Sequence, residues 1–150
     1  MKLLDLFEDD RYFYLILELL NGGDLFDYLE KRNFHISEER ARELFKQIAN
    51  AVAYIHQFGI VHRDLKIENI IMSDNSEQSV PKLADFGMVK ILGPAEKTQE
   101  RLGTVAYAAP EVLRKKPYTK KVDVWSLGII LYMLLGETLP FYSMDQKEIF

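Results

Sequence analysis

The sequence predicts an α+β fold in which a short β-rich stretch precedes a mostly helical body. Three observations carry this expectation. Residues 12–17, Tyr-Phe-Tyr-Leu-Ile-Leu, are aromatic and branched, the composition of a strand. Between Ser37 and Gly59 apolar residues recur at helical spacing. From Asp123 to Leu135 the chain is apolar nearly all round, as a central buried helix requires.

Each element follows from local chemistry. Leu3 to Phe7 is an extended run that can pair with 12–17 across the polar turn Glu8-Asp9-Asp10-Arg11. Asn21-Gly22-Gly23-Asp24 ends the strand, and Asp24 can cap a short helix through Leu29. Ser37 followed by Glu38 and Glu39 marks the next helix start, with acids near the positive end of the dipole. Ala41, Leu44, Phe45, Ile48, Val52 and Ile55 form its buried face, and Gly59 is its stop. Short apolar runs follow at 60–61, 70–72 and 80–84, the last two joined by the polar stretch 73–79 as a loose hairpin. Residues 87–108 show no period and read as a long loop, which in a compact domain is commonly functional. Gly136 is expected to end the apolar helix, and Pro140 blocks its continuation. The segment reaching Phe150 reads as the start of another amphipathic element.

Bulk properties narrow the classes. The chain has 150 residues, 48% hydrophobic and 28% charged, as for one globular domain with a real core. A net charge of −4 argues against DNA, RNA or an anionic membrane as partner. Absence of cysteine excludes a disulfide framework and thiolate metal sites and fits a cytoplasmic or other intracellular setting. Asp5 interrupts the opening apolar residues too early for a signal peptide. The run 124–135 is too short to span a bilayer and is broken by Ser126 and Gly128.

Residues 62–69 read His-Arg-Asp-Leu-Lys-Ile-Glu-Asn, Asp85-Phe86-Gly87 follows an apolar strand, and residues 103–111 read Gly-Thr-Val-Ala-Tyr-Ala-Ala-Pro-Glu. Asp123-Val-Trp-Ser-Leu-Gly128 opens the apolar helix. In this order the motifs resemble the catalytic loop, metal-binding triplet, substrate-docking loop and central helix of eukaryotic serine/threonine protein kinases. Residues 21–26, Asn-Gly-Gly-Asp-Leu-Phe, look like the hinge exit of calcium/calmodulin-dependent-type kinases. Small-molecule phosphotransferases share the acid and the amide but lack the Ala-Pro-Glu segment.

The resemblance implies a kinase-like α+β fold: residues 1–20 as the end of the small lobe and the hinge, residues 21–150 as an incomplete large lobe. The glycine-rich loop and the lysine strand of the family do not occur in these residues, so the piece alone is expected to be weak or inactive. The implied reaction moves the γ-phosphoryl of ATP, with Mg²⁺, to a protein serine or threonine. Asp64 would orient the hydroxyl, Lys66 balance the phosphoryl charge, and Asn69 and Asp85 hold the metal. Lys66 also marks serine/threonine over tyrosine specificity. Leu17, Glu18, Leu20 and Ile71 would line the adenine site. Asp24 would meet the ribose or an arginine three positions before the acceptor, and Glu68 could add a second acid. Met133 stands where basophilic relatives place a second acid. His62, Phe86 and Leu3 would stack in the hydrophobic spine with Asp123 at its base. In the activation segment, Arg63, Thr98, Glu100 and Thr104 are the expected actors. Either Glu100 supplies a permanent negative charge to Arg63, or Thr98 is a phosphosite. Ile67 replaces the usual proline, and Val105 and Ala106 depart from the usual docking loop. A non-catalytic binding or decoy module built on a kinase remnant is the competing expectation.

Overall fold

The computed structural model describes residues 1–141, so the amphipathic segment expected before Phe150 lies outside the described residues. Strands β1 (Leu3–Glu8) and β2 (Phe13–Leu17) pair antiparallel across the expected turn. Asp9 closes that turn by accepting from the Arg11 and Tyr12 N–H groups and from the Tyr14 hydroxyl. Both faces of this hairpin are exposed, so its strand-like composition is satisfied by pairing and not by burial.

Helix α1 (Leu25–Glu30) starts at Asp24, whose carboxylate accepts from the Asp27 N–H while Asp27 reaches back to the Asp24 N–H. That reciprocal cap satisfies two amides that a helix start otherwise leaves open. Helix α2 (Glu38–Gln57) starts at Ser37 and ends as Gly59 turns left-handed at φ +71°. Strands β3 (Ile60–Val61), β4 (Ile70–Met72) and β5 (Pro81–Leu83) follow, with β4 and β5 forming the expected hairpin.

The stretch 87–108 is more ordered than its composition suggests. It contains strand β6 (Lys90–Ile91), which pairs with β3, and single 3-10 turns at Phe86–Met88 and Val105–Tyr107. Two-residue pairing is too short to leave a periodic signature. Helix α3 (Pro110–Leu113) has proline in its first turn, and helix α4 (Lys121–Gly136) completes the described chain. Gly136 stays inside α4, and Glu137 takes the left-handed position at φ 64°.

Leu25, Leu29, Leu44, Ile48, Ile130 and Leu134 are almost fully buried and join α1, α2 and α4 around the loop residues Leu65 and Ile67. Each such side chain contributes about 1.5–3 kcal/mol of burial. A second cluster, including Val61, Leu92, Val112 and Val122, fixes the 87–113 stretch against the start of α4. The all-round burial expected of α4 is not observed. Val124, Tyr132 and Leu135 are exposed among the described residues, where α2 and the 105–107 turn cover the opposite side.

Candidate active site

The 62–69 loop hangs from one buried carboxylate. Asp123, 1% exposed near the start of α4, accepts from the His62 N–H at 2.8 Å and the Arg63 N–H at 2.9 Å. His56 at the end of α2 reaches the same carboxylate at 2.8 Å. Arg63 sits at φ 69°, a conformation that costs a non-glycine residue energy and persists when its surroundings over-determine it. The paired bonds to Asp123 provide that constraint. His62 is fully buried, faces the Ala84 carbonyl at 3.0 Å through Nε2, and packs on Phe86 with ring centres 5.3 Å apart. Leu3 lies exposed on β1.

With the loop anchored, its polar side chains converge. Asp64 Oδ1 accepts from both the Thr104 N–H and the Thr104 hydroxyl at 2.9 Å. Asp64 Oδ2 accepts from the Asn69 amide at 3.1 Å and lies 3.5 Å from Lys66 Nζ. Lys66 also donates to Thr104 Oγ1 at 3.2 Å. The Asn69 amide nitrogen donates again to the Asp64 backbone carbonyl at 2.8 Å, which turns its side-chain oxygen the other way.

Asp85 follows β5, whose end is tied by backbone to Asn69. The Ala84 N–H donates to the Asn69 carbonyl at 2.9 Å, so Asp85 begins one residue beyond the cross-strand neighbour of Asn69. Its φ of 54° and its side-chain bond to the Gly87 N–H set a sharp turn there.

The 90–104 stretch carries a separate charge cluster. Glu100 bonds Arg63 Nη1 at 2.6 Å and is also paired with Lys90. Lys90 and then Arg63 hold its carboxyl at about 2, well below the usual range. Arg63 further donates to the Met88 and Val89 carbonyls. Thr98 is buried, exchanges two backbone bonds with Tyr118, and accepts from Lys90 through its hydroxyl at 3.1 Å. Gly103 turns left-handed at φ +96°, and a Cβ there would meet the Arg63 carbonyl at 2.5 Å. Lys90, Tyr118 and His56 were not singled out by sequence, since their partners are distant along the chain.

At the other end, Asp24 forms an isolated bridge with Ile71 beside the α1 cap. Leu17 is exposed, while Leu20 and Ile71 are half-buried. Glu18 accepts from Lys82 at 2.7 Å and from the Lys2 N–H at 2.6 Å, and Lys82 foremost lowers its carboxyl below the usual value. Among the described residues no helix is long and apolar enough to cross a membrane. Nor is there a group of three or more His, Cys, Asp or Glu side chains able to hold a metal by itself.

The family model described as protein kinase domain matches residues 1–150. A Dictyostelium discoideum protein named "Probable myosin light chain kinase" is 45% identical over 100% of this chain, which corresponds to 38% of that protein. A second from the same organism, named "Probable serine/threonine-protein kinase fhkD", is 44% identical over 94% of this chain and 20% of its own length. The chain thus spans well under half the length of these relatives.

Proposed function

The chain belongs to the protein kinase domain family, and from that premise we propose that it carries the phosphotransfer centre of a serine/threonine kinase. The observation that supports this most is the Thr104 hydroxyl, 2.9 Å from Asp64 and 3.2 Å from Lys66. An acceptor hydroxyl needs the same company: a carboxylate within about 2.6–3.2 Å to take its proton, and a cation to balance the phosphoryl oxygens.

In this reading the acceptor oxygen attacks the γ-phosphorus of ATP as its proton passes to Asp64. The new O–P bond forms as the bond to the β-phosphate oxygen breaks, and ADP leaves. Lys66 stabilises charge on the moving group. Thr104 holds Asp64 in place until the acceptor arrives.

Asn69 and Asp85 would hold Mg²⁺. Both offer hard oxygen donors, and the Asn69 amide nitrogen is already committed to Asp64, which leaves its oxygen for a cation. Held by these two residues, Mg²⁺ would supply positive charge to offset that of the phosphates. Residues 1–20 serve as the end of a small lobe and hinge, and the rest as large lobe. Leu17 guards the back of the adenine pocket, Ile71 forms its floor, and Leu20 offers a backbone group to the base. The Glu18 N–H is already given to the Lys2 carbonyl at 3.0 Å, so the Glu18 carbonyl is its backbone group for the base. Asp24, with its cap intact, faces ribose or a substrate arginine.

The protein substrate and its sequence preference belong to this proposal, since the chain is a minor part of its relatives' length. The test is turnover with MgATP by the whole natural polypeptide that carries this sequence, with Asp64→Asn beside it. Phosphate on serine or threonine, lost in the variant, supports the reading. Nucleotide binding without transfer in the unaltered protein would favour the non-catalytic module.

A further inference from the structure

A second cleft lies away from Asp64. It encloses about 710 Å³ between residues 56–59 at the end of α2, residues 91–94 after β6, and residues 119–121 at the start of α4. We propose that this cleft docks an acidic segment of a partner protein that carries a bulky apolar anchor.

The apolar part of the cleft is built and held open. Ile91 is 71% exposed and Phe58 59% exposed, far more than large apolar residues of a core. Ile91 cannot turn inward, because its ladder pairing with Ile60 sets which face it presents. The Leu92 N–H donates to the Gly59 carbonyl at 2.8 Å and fixes one wall to the other. Phe58 is steadied edge-on by Tyr54, 5.1 Å between ring centres, and Tyr54 is itself 61% exposed. The volume lies within the roughly 300–1,000 Å³ of ordinary ligand clefts, enough for one large side chain and its neighbours.

The charge selects the occupant. Lys120 and Lys121 line the cleft, and neither is paired with a carboxylate among the described residues. Among the described residues Lys120 donates to the His56 carbonyl, at 3.3 Å. Glu96, the one acid of the lining, accepts from the Gly93 N–H at 3.0 Å and offsets one of the two lysines, which leaves the lining with a net positive charge. A positive apolar cleft on a chain of net charge −4 is a local departure that favours an acidic ligand and disfavours a basic one. A concave site also suits a peptide better than a flat bilayer.

The test uses the whole polypeptide and fluorescein-labelled peptides followed by anisotropy. The probe is Asp-Glu-Phe-Leu-Asp-Glu, compared with Lys-Arg-Phe-Leu-Lys-Arg and with Asp-Glu-Ser-Gly-Asp-Glu. Saturable binding of the first alone, weakened by added salt, is expected. Lys120→Glu with Lys121→Glu should weaken it by about tenfold or more and turn preference toward the basic peptide. Acids at a helix start complement its dipole, so this variant should keep its melting temperature. Ile91→Ser should weaken binding with the charges untouched. Absence of saturable binding, equal binding by the double variant, or equal binding of the peptide without Phe-Leu overturns the proposal. So does a concentration-dependent dimer that the double variant abolishes, which would assign the cleft to a second copy. None of these readouts depends on phosphotransfer.

Discussion

Glu100 joins Arg63 to Lys90, one carboxylate oxygen to each cation. Arg63 is the neighbour of Asp64, so the cluster ties the 90–104 stretch to the proposed site. The carboxyl is held at about 2 in the folded protein, against an ordinary value of 4.5. A depressed folded value means that its stabilisation is fully present above the ordinary value and is lost as pH falls toward 2. The protection factors of residues 90–104, observed exchange relative to the intrinsic rate at each pH, should therefore fall below about pH 4.5. In Glu100→Gln they should already be low at neutral pH and no longer change over that range. Unchanged exchange in the variant would remove Glu100 from the loop's support.

The same cluster separates two accounts of activation. If Glu100 supplies the permanent charge, Glu100→Gln lowers kcat by about tenfold with little change in the KM for ATP. Thr98→Ala, which removes a buried hydroxyl bonded to Lys90, should do less. Activity that survives Glu100→Gln and collapses in Thr98→Ala would assign the switch to Thr98.

Asp64→Asn keeps the size of the side chain and an oxygen for Thr104, but its amide nitrogen cannot accept from Asn69 or Lys66, and the proton acceptor is gone. Turnover should fall by roughly 10²–10⁴, the usual share of a general base. Nucleotide affinity by calorimetry should hold. Near-normal turnover would exclude Asp64 from proton transfer.

Asp85→Ala should weaken Mg²⁺-dependent ATP binding more than Asn69→Ala, since a carboxylate neutralises charge and an amide does not. Asn69→Ala carries a second cost, because its amide also bonds Asp64. It should lose more turnover than its metal titration explains. Equal metal titrations for the two variants would count against this division.

Gly103→Ala places a methyl against the Arg63 carbonyl and forces alanine into a left-handed turn. The strain should cost about 1–3 kcal/mol locally. Limited proteolysis should cut near residue 103 in the variant before the rest unfolds. A protease pattern identical to that of the unaltered protein would refute this.

Asp24→Asn preserves a good helix cap while removing the charge. On a peptide array, the unaltered protein should favour arginine three positions before the acceptor, and the variant should lose that bias without losing stability. Equal arrays would leave Asp24 with its cap alone.

Local chemistry made much of this molecule legible in the sequence. The turn before β2, the caps at Asp24 and Ser37, the buried face of α2 and the 62–69 and 85–87 motifs depend on neighbours within a few residues. Such signals survive in a linear string. Tertiary structure decided the rest. The two-residue β3–β6 ladder is too short to show a period, and it turns an apparent loop into a fixed wall. Lys90 became a partner of Glu100 only when β6 folded beside Arg63. The exposed side of α4 was illegible because an apolar helix records its composition, not which neighbours cover it. Asp123 shows both sides at once: its place at the start of a helix is written locally. Its three bonds to His56, His62 and Arg63 exist because packing brings distant amides and a ring to one buried carboxylate, where each unmet donor would be costly.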